Sequence, residues 1–159
     1  MIIKILDKIK SELIKFNLKM LYGSKIKIGK NVNIRGKIYI RIEKNGSIII
    51  GDNCFFNNNC SINALDKIEI GSNTIFGENV KIYDHNHIFY KKNALISDSG
   101  YTLSPIKINC NCWICSNCVI LKGVEIGENS VVSAGNVVKE NVPSNSIYMS
   151  NHINAIRYK

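Results

Sequence analysis

A large apolar side chain recurs every six residues along most of this 159-residue chain, and this period limits the possible folds more than any other feature. It matches neither the about 3.6-residue turn of an α-helix nor the roughly 8–12-residue spacing of turns in a meandering sheet. It predicts a solenoid of short, equivalent strands, each of which buries its apolar residue only by stacking on the next coil. The repeated residues are Ile28, Ile34, Ile40, Ile50, Phe56, Ile62, Ile70, Phe76, Ile82, Ile108, Ile114, Ile120, Ile126, Val132 and Val138.

Two other positions of the repeat have structural meaning. A smaller residue stands two positions before each large one, and because side chains alternate along a strand, both are expected to point inward. Asn often follows three residues after the large residue, and Asn and Gly tolerate the left-handed backbone of tight corners. Between Ile62 and Ile70 the spacing widens to eight, which predicts a two-residue bulge around Leu65–Lys67. The small inward residues are Val32, Cys54, Cys60, Thr74, Val80, Cys112, Cys118, Val124 and Ser130.

The cysteines have a spacing that by itself suggests zinc. Four of the six lie within nine residues, at Cys110, Cys112, Cys115 and Cys118. Such clusters often bind a metal. However, Cys112 and Cys118 occupy the small inward position of successive repeats, so they are expected to behave as buried hydrophobic residues. Four sulfurs at different repeat positions cannot converge on one ion, and the sequence predicts no metal.

The N-terminal segment, residues 1–22, is predicted to form an amphipathic helix preceding a coil domain at residues 23–159. Its apolar residues follow helical spacing. We expect the helix to cap the end of the coil, and contact with a membrane surface through a lysine-rich helix is the alternative. The apolar residues are Ile2, Ile5, Leu6, Ile9, Leu13, Phe16 and Met20.

Composition narrows the cellular setting. Lys4, Lys8, Lys10 and Lys15 interrupt the N-terminal apolar residues, which is unlike a signal peptide, and no apolar run is long enough to span a bilayer. A cytoplasmic location with reduced thiols is therefore expected, with attachment at the inner face of the cytoplasmic membrane as the alternative for the helix. The net charge of +9 is spread along the chain without a basic block, so nucleic acid is not an expected partner.

Residues 83–105 form the one long break in the repeat, and function is expected there. The break opens with Asp84-His85-Asn86-His87, which contains two of the three histidines. If the strand continues, His85 and His87 share one face while Asp84 and Asn86 share the other. A histidine there suits general-base chemistry. Metal binding would require His152 to meet them between subunits.

At these residues the chain resembles a known family. Residues 26–159 are similar to the hexapeptide-repeat acyltransferases, which fold as a left-handed parallel β-helix, and particularly to maltose and galactoside O-acetyltransferases and to enzymes that O-acetylate bacterial surface polysaccharides. Ile82 to His87 resembles the family segment that ends in the catalytic histidine. The stretch from Ile108 to Pro143 resembles its C-terminal coils, including Trp113-Ile114, Ile126-Gly127 and Ala134-Gly135.

The resemblance implies an all-β enzyme, a homotrimer with sites between subunits, that transfers an acetyl group from acetyl-CoA to a sugar hydroxyl. It implies that His87 is the general base and that backbone N–H groups near Trp113 of a neighbouring chain stabilise the oxyanion. It places His85, with Asp84 and Asn86, beside the acceptor, where Asp84 or Asn86 could orient either histidine. By the same resemblance, acetyl-CoA contacts Ser116, Ala134, Gly135, Lys139 and Arg157.

Three alternatives stay open at this point. One is N-acetylation of an amino sugar carried by a nucleotide. Another is a metalloenzyme of the γ-carbonic-anhydrase type, which has the same coil, although the spacing of His85, His87 and His152 does not match its histidines. The third is a solenoid that only binds a ligand, against which the long loop and its histidines argue.

Overall fold

The computed structural model describes residues 2–43, 45–150 and 152–155, and these wind into a three-sided coil. Consecutive strands visit the three faces in turn, so each sheet gains one strand per coil. The first sheet contains β1 (Ile26–Ile28), β4 (Ser47–Ile50), β7 (Lys67–Ile70), β12 (Ile106–Ile108) and β15 (Glu125–Ile126). The second contains β2 (Asn33–Ile34), β5 (Phe55–Phe56), β8 (Ile75–Phe76), β13 (Trp113–Ile114), β16 (Val131–Val132), β18 (Ser146–Met149) and β19 (His152–Ala155). The third contains β3 (Ile38–Ile42), β6 (Cys60–Ala64), β9 (Lys81–Tyr83), β14 (Val119–Ile120) and β17 (Val137–Val138).

The strand pairing confirms the predicted parallel β-helix. Strands stack in parallel within each sheet, apart from the antiparallel pair β18–β19 at the C-terminal end. Ile108 pairs with Ile126, 18 residues later, whereas Ile68 pairs with Ile106, 38 residues later. The coil therefore resumes in register after the predicted loop. Within that loop, β10 (His85–His87) and β11 (Tyr101–Leu103) form an antiparallel hairpin, and a 3₁₀ turn spans Ile96–Asp98.

Most large residues of the repeat fill the interior as predicted, while Ile28 and Ile40 of the first coil are only partly buried. Ile34, Phe56, Ile114 and Val132 are fully buried, and the rings of Phe56 and Phe76 stack at 4.6 Å in neighbouring coils. The small inward position is buried throughout the set predicted from the sequence. Alternation of large and small side chains thus builds one continuous core.

Asparagine makes the corners. Residues three positions after the large side chain adopt φ between 56° and 62°, and Gly123 (φ 79°) and Gly135 (φ 74°) serve the same purpose in other coils. Successive corner amides also donate hydrogen bonds to one another, as from Asn31 to Asn53 and from Asn111 to Asn129. The corner asparagines are Asn31, Asn53, Asn59, Asn73, Asn79, Asn111, Asn117, Asn129 and Asn145.

A helix, α1 (Ile2–Tyr22), lies over the first coil and is followed by a 3₁₀ turn at Gly23–Lys25. Its contacts with the coil are both apolar and polar, and Ile14 and Leu18 pack against the core. The buried hydroxyl of Ser11 accepts a hydrogen bond from the N–H of Ile34 (2.9 Å), and the ammonium of Lys15 donates to the carbonyl of Val32 (2.9 Å). The Tyr22 hydroxyl donates to the carbonyl of Ile40 (2.7 Å). These side chains satisfy backbone groups of the first coil that have no preceding strand.

The part of the chain that the structure describes contains no helix with the length and hydropathy needed to cross a bilayer.

The inward cysteines are buried small residues, as their repeat position predicts. Their thiols face carbonyls of the next coil, such as Cys112 on Gly127 (3.2 Å) and Cys118 on Ser133 (3.1 Å). Burial raises the pKa of the Cys54, Cys60, Cys112 and Cys118 thiols because it disfavours the thiolate. Cys110, in contrast, is exposed.

This difference predicts the order of cysteine alkylation. In the native protein iodoacetamide should modify Cys110 first, while Cys54, Cys60, Cys112 and Cys118 stay protected, because they are inaccessible and their raised pKa lowers the thiolate fraction near neutral pH. Peptide mass mapping measures the order, and a denatured sample, in which all six should react, is the control. Labelling of Cys112 and Cys118 as fast as Cys110 would contradict their inward register.

Candidate active site

The site begins where β9 ends and the hairpin leaves the coil. Ser104 closes the base of the hairpin, since its N–H donates to the carbonyl of Asp84 (3.0 Å) and its own carbonyl accepts from the N–H of Gly123 (3.1 Å). Further out, the N–H of Ile88 donates to the carbonyl of Gly100 (3.0 Å). The loop is therefore attached to two coils through backbone hydrogen bonds.

Asp84 fixes this base from inside the coil. Its carboxylate is fully buried and accepts hydrogen bonds from the N–H of Leu65 (2.9 Å) and of Asp66 (2.8 Å). Those two residues form the bulge that the eight-residue spacing predicts, between β6 and β7. The same carboxylate lies 3.0 Å from Nδ1 of His85. One buried side chain thus joins the bulge to the first histidine.

The burial of Asp84 corrects one expectation. A carboxylate with no exposed surface does not contact an acceptor sugar within this chain, so Asp84 is not a direct substrate ligand there. It instead orients His85, the other role that the resemblance allows. Because a carboxylate only accepts hydrogen bonds, Nδ1 of His85 is the donor in this contact.

His87 lies one pleat further along the same face of the hairpin. His87 pairs with Tyr101 across the hairpin, and the two rings are 4.5 Å apart, tilted by 44°. The ring of Tyr101 also meets His85 edge-on at 5.3 Å. His87 is exposed, and neither of its ring nitrogens is hydrogen-bonded to a residue that the structure describes. The two histidines share one face, as the strand continuation predicts, and Tyr101 lies between them.

Asn86 lies on the opposite face of the hairpin and is exposed. Its carbonyl accepts a hydrogen bond from the Thr102 hydroxyl (3.4 Å). The structure thus places Asn86 beside the histidines in sequence but not on their face, so its expected acceptor contact is not made from the histidine face of one chain.

Trp113 lies on a different side of the molecule. It belongs to β13 in the second sheet, pairs with Ile75 and Val131, and is half exposed on the outer surface. The histidine hairpin leaves the third sheet at the corner that leads to the first sheet. Trp113 and His87 therefore do not converge within one chain.

The residues expected to contact acetyl-CoA divide between two corners. Ser116, Ala134 and Gly135 lie at the corner between the second and third sheets in successive coils, where the N–H of Gly135 donates to the carbonyl of Ser116 (3.0 Å). Lys139 follows β17 and lies at the corner from which the histidine hairpin leaves, two coils further on. Arg157 lies outside the described residues.

Two of the three residues at the corner between the second and third sheets leave room for a ligand. Ala134 and Gly135 are exposed, and no atom lies within 4 Å of the position of a Cβ on Gly135. Ser116 is half-buried and its hydroxyl accepts a hydrogen bond from the N–H of Glu78 (3.1 Å). Small residues at this corner thus allow a ligand to approach the backbone closely.

Metal ligands do not converge within the described ranges, where no group of three His, Cys, Asp or Glu side chains could hold an ion. His152 lies on β19 in the second sheet, away from the histidine hairpin.

The role of the bulge was not predicted from sequence. The eight-residue spacing signals that a bulge exists, but no local pattern signals that its N–H groups dock on Asp84. Likewise, nothing near Ser104 indicates that it bridges Asp84 and Gly123, because both contacts arise only when the coil closes.

Comparison with known proteins identifies the family of this coil. Residues 105–140 match the family model described as bacterial transferase hexapeptide (six repeats). The galactoside O-acetyltransferase of Escherichia coli K12 is 33% identical over 121 residues, covering 76% of this chain and 57% of the relative. The putative lipopolysaccharide biosynthesis O-acetyl transferase of the same strain is 31% identical over 109 residues, covering 64% of this chain and 56% of the relative. The chain spans a little over half the length of the curated relatives it matches.

Solved structures show the same coil. A maltose O-acetyltransferase from Clostridium difficile 630 superposes with a TM-score of 0.73 at 28% identity, covering 94% of this chain and 86% of that one. A hexapeptide-repeat acetyltransferase from Vibrio cholerae, complexed with acetyl-CoA, gives a TM-score of 0.70 at 28% identity, covering 86% and 71%. The six-residue repeat, the coil and the similarity to known proteins agree. This chain belongs to the hexapeptide-repeat acyltransferase family and has its left-handed parallel β-helix.

Proposed function

We propose that this protein is an acetyl-CoA-dependent O-acetyltransferase that acts on a sugar hydroxyl. The observation that carries the proposal is the exposed imidazole of His87, presented on a hairpin whose base is fixed by the buried Asp84. Family membership supports acyl transfer, and the geometry supports a histidine that is free to accept a proton.

In the proposed reaction His87 acts as the general base. Its unprotonated ring nitrogen takes the proton of the acceptor hydroxyl while that oxygen attacks the thioester carbonyl carbon of acetyl-CoA. As the carbon–sulfur bond breaks, the imidazolium returns the proton to the departing sulfur, so the ester and free CoA leave a neutral His87. No residue of the chain is acylated, and no cysteine takes part.

His85 has a supporting role in this scheme. Its Nδ1 is held by Asp84, so the ring is fixed, and it packs edge-on against Tyr101, which in turn contacts His87. A fixed neighbour limits the rotamers of Tyr101 and through it positions His87. His85 also lies on the face where the acceptor has to bind.

Acetyl-CoA fits the residues at the corner of Ala134 and Gly135, and it fits the positive charge of Lys139. The exposed backbone at Ala134 and Gly135 allows close approach of an extended ligand, and the exposed ammonium of Lys139 suits a phosphate. Acetyl-CoA supplies the thioester, and the chain's part is to orient that thioester against the acceptor hydroxyl.

We propose further that the complete site forms between subunits of a homotrimer. His87 and Trp113 lie on different sides of one chain, so a neighbouring chain has to supply Trp113 beside His87. Backbone N–H groups near Trp113 would then stabilise the oxyanion, and the indole of Trp113 would shape the site beside the thioester. Oligomerisation thus completes a site that one coil presents in two halves.

The acceptor is proposed to be a glycan of the bacterial surface or its precursor, in the cytoplasm where acetyl-CoA is available. Support comes from similarity to proteins named as a galactoside O-acetyltransferase and a putative lipopolysaccharide biosynthesis O-acetyl transferase. The exposed loop residues Tyr90, Lys91 and Lys92 lie on the same excursion as the histidines, and we propose that they select the acceptor.

Replacing His87 tests the proposed base. His87→Ala should lower kcat by about 10²–10⁴-fold with little change in thermal stability, because the side chain is exposed and acts as a base. Thiol release from acetyl-CoA with pooled sugar acceptors measures the rate. His85→Ala is the matched control and should retain more activity than His87→Ala. Equal turnover of His87→Ala and wild type would remove the assignment.

Replacing Asp84 tests the buried link. Asp84→Asn puts an NH₂ donor opposite the N–H groups of Leu65 and Asp66, which should lower the free energy of unfolding by about 1–3 kcal/mol. Urea unfolding measures this loss, and Asp98→Asn, an exposed carboxylate of the same loop, should be near neutral. An Asp84→Asn protein as stable as wild type would show that the bulge does not depend on the carboxylate.

Subunit mixing tests the shared site. His87→Ala and Trp113→Ala should each be impaired alone, whereas subunits unfolded and refolded together should regain activity, because some mixed interfaces combine an intact His87 with an intact Trp113. The acetyl-CoA thiol assay on mixed and unmixed samples measures the gain. Mixed trimers no more active than the average of the two parents would place both residues in the same chain's site.

A further inference from the structure

The helix α1 packs Ile14 and Leu18 on the core but leaves a second, larger apolar stripe facing away from the coil. Ser11, Lys15 and Tyr22 face the first coil, whereas the large apolar side chains on the opposite side are at least half exposed. They form a stripe of about 22 Å at the rise of an α-helix. We call this set the outer stripe: Ile5 (53%), Leu6 (50%), Ile9 (51%), Leu13 (58%), Phe16 (61%) and Met20 (73%).

Ile14 and Leu18 already supply the apolar contact with the core, so the outer stripe is additional apolar surface that needs an occupant of its own. The stripe lies along one straight helix and stands outward from the coil, which suits a flat surface better than a concave one. The polar residues of the inner face already hold the helix to the coil through buried hydrogen bonds. The outer stripe is therefore available while the helix stays attached.

The charges beside the stripe identify the kind of surface. On a helical projection Lys8 and Lys19 flank one side of the stripe and Lys10 flanks the other, and all three are exposed. Glu12, on the Lys8 side, lies 2.7 Å from the ammonium of Lys15, so its charge is compensated within the helix. Lysines along both edges of an apolar stripe match an anionic bilayer surface, where the ammonium groups reach lipid phosphates.

The neighbouring surface of the first coil continues this pattern. A shallow apolar groove between α1 and the coil is lined by Lys10, Leu13, Arg35, Lys37 and Tyr39. Three of these carry positive charge, and the ring of Tyr39 is 57% exposed. Aromatic and basic side chains are both favoured at the level of lipid headgroups.

We propose that the outer stripe of α1 binds the surface of an anionic phospholipid bilayer, with the helix lying in the plane of the interface. The proposal rests on the helix alone and is independent of the acetyl-transfer chemistry. A second copy of the chain covering the same stripe is the competing occupant, and the charged edges favour the bilayer.

Vesicle cosedimentation of the full chain tests the proposal. The protein should pellet with vesicles of phosphatidylglycerol and phosphatidylcholine, much less with phosphatidylcholine alone, and less again at high salt. The variant Leu13→Ser/Phe16→Ser should reduce binding about tenfold or more. Its matched control, Leu95→Ser/Ile96→Ser, removes two exposed apolar side chains from the loop and should bind as wild type does.

A second pair of variants separates charge from apolar contact. Neutralising the flanking lysines should weaken binding to anionic vesicles by about tenfold or more, while the same number of neutralised lysines elsewhere should not. The two variants are Lys8→Gln/Lys10→Gln/Lys19→Gln and Lys91→Gln/Lys92→Gln/Lys122→Gln. Far-ultraviolet circular dichroism and thermal melting should show that every variant remains folded.

The contrary outcomes are distinct. Absence of pelleting by the wild-type chain, or equal pelleting by wild type and Leu13→Ser/Phe16→Ser, would overturn the proposal. If sedimentation velocity showed that Leu13→Ser/Phe16→Ser lowers the oligomeric state while wild type ignores vesicles, the stripe would be an interface between copies instead.

Discussion

The corner of the coil is the constraint on which the rest of this structure depends. Strands of two to five residues can stack in three sheets only if the chain turns sharply between them, and the corner residue has to adopt positive φ. Asparagine meets this need where most L residues would be strained, and its amide also bonds to the same corner of the next coil. Gly123 and Gly135 meet it without a side chain, which leaves space outside the corner at Gly135.

The same constraint determines how a loop can be inserted. An excursion of twenty residues is tolerated because it leaves and re-enters at one corner, so Ile82 still pairs with Ile120 and Ile68 with Ile106. Where the loop leaves the coil, hydrogen bonds of two residues hold its ends together. Asp84 contributes its buried carboxylate, and Ser104 contributes its backbone N–H and carbonyl. The histidines of this hairpin therefore stand on a base held by hydrogen bonds, as the proposed general-base chemistry requires.

The sequence was sufficient for most of the coil because its periodicity is local. The inward residues, the corner asparagines, the bulge at Leu65–Asp66 and the shared face of His85 and His87 all follow from spacing and strand alternation. The placement of Asp84 did not follow, because a carboxylate beside two histidines suggests a ligand, and only the closed coil shows it facing the bulge. The separation of Trp113 from His87 did not follow from the spacing either, because it depends on which sheet each strand joins.

The sequence also did not predict which side of α1 faces the coil, and the reason is physical. An amphipathic helix beside a hydrophobic core is expected to turn its apolar face toward that core. The open end of a β-helix, however, presents unpaired backbone N–H and carbonyl groups, and buried polar groups need hydrogen-bond partners more than they need apolar cover. Ser11 and Lys15 supply those partners at Val32 and Ile34, so the side of the helix that carries them packs inward, together with Ile14 and Leu18. The larger apolar stripe is then left outside, and one helix can cover the first coil while presenting a second, outward surface.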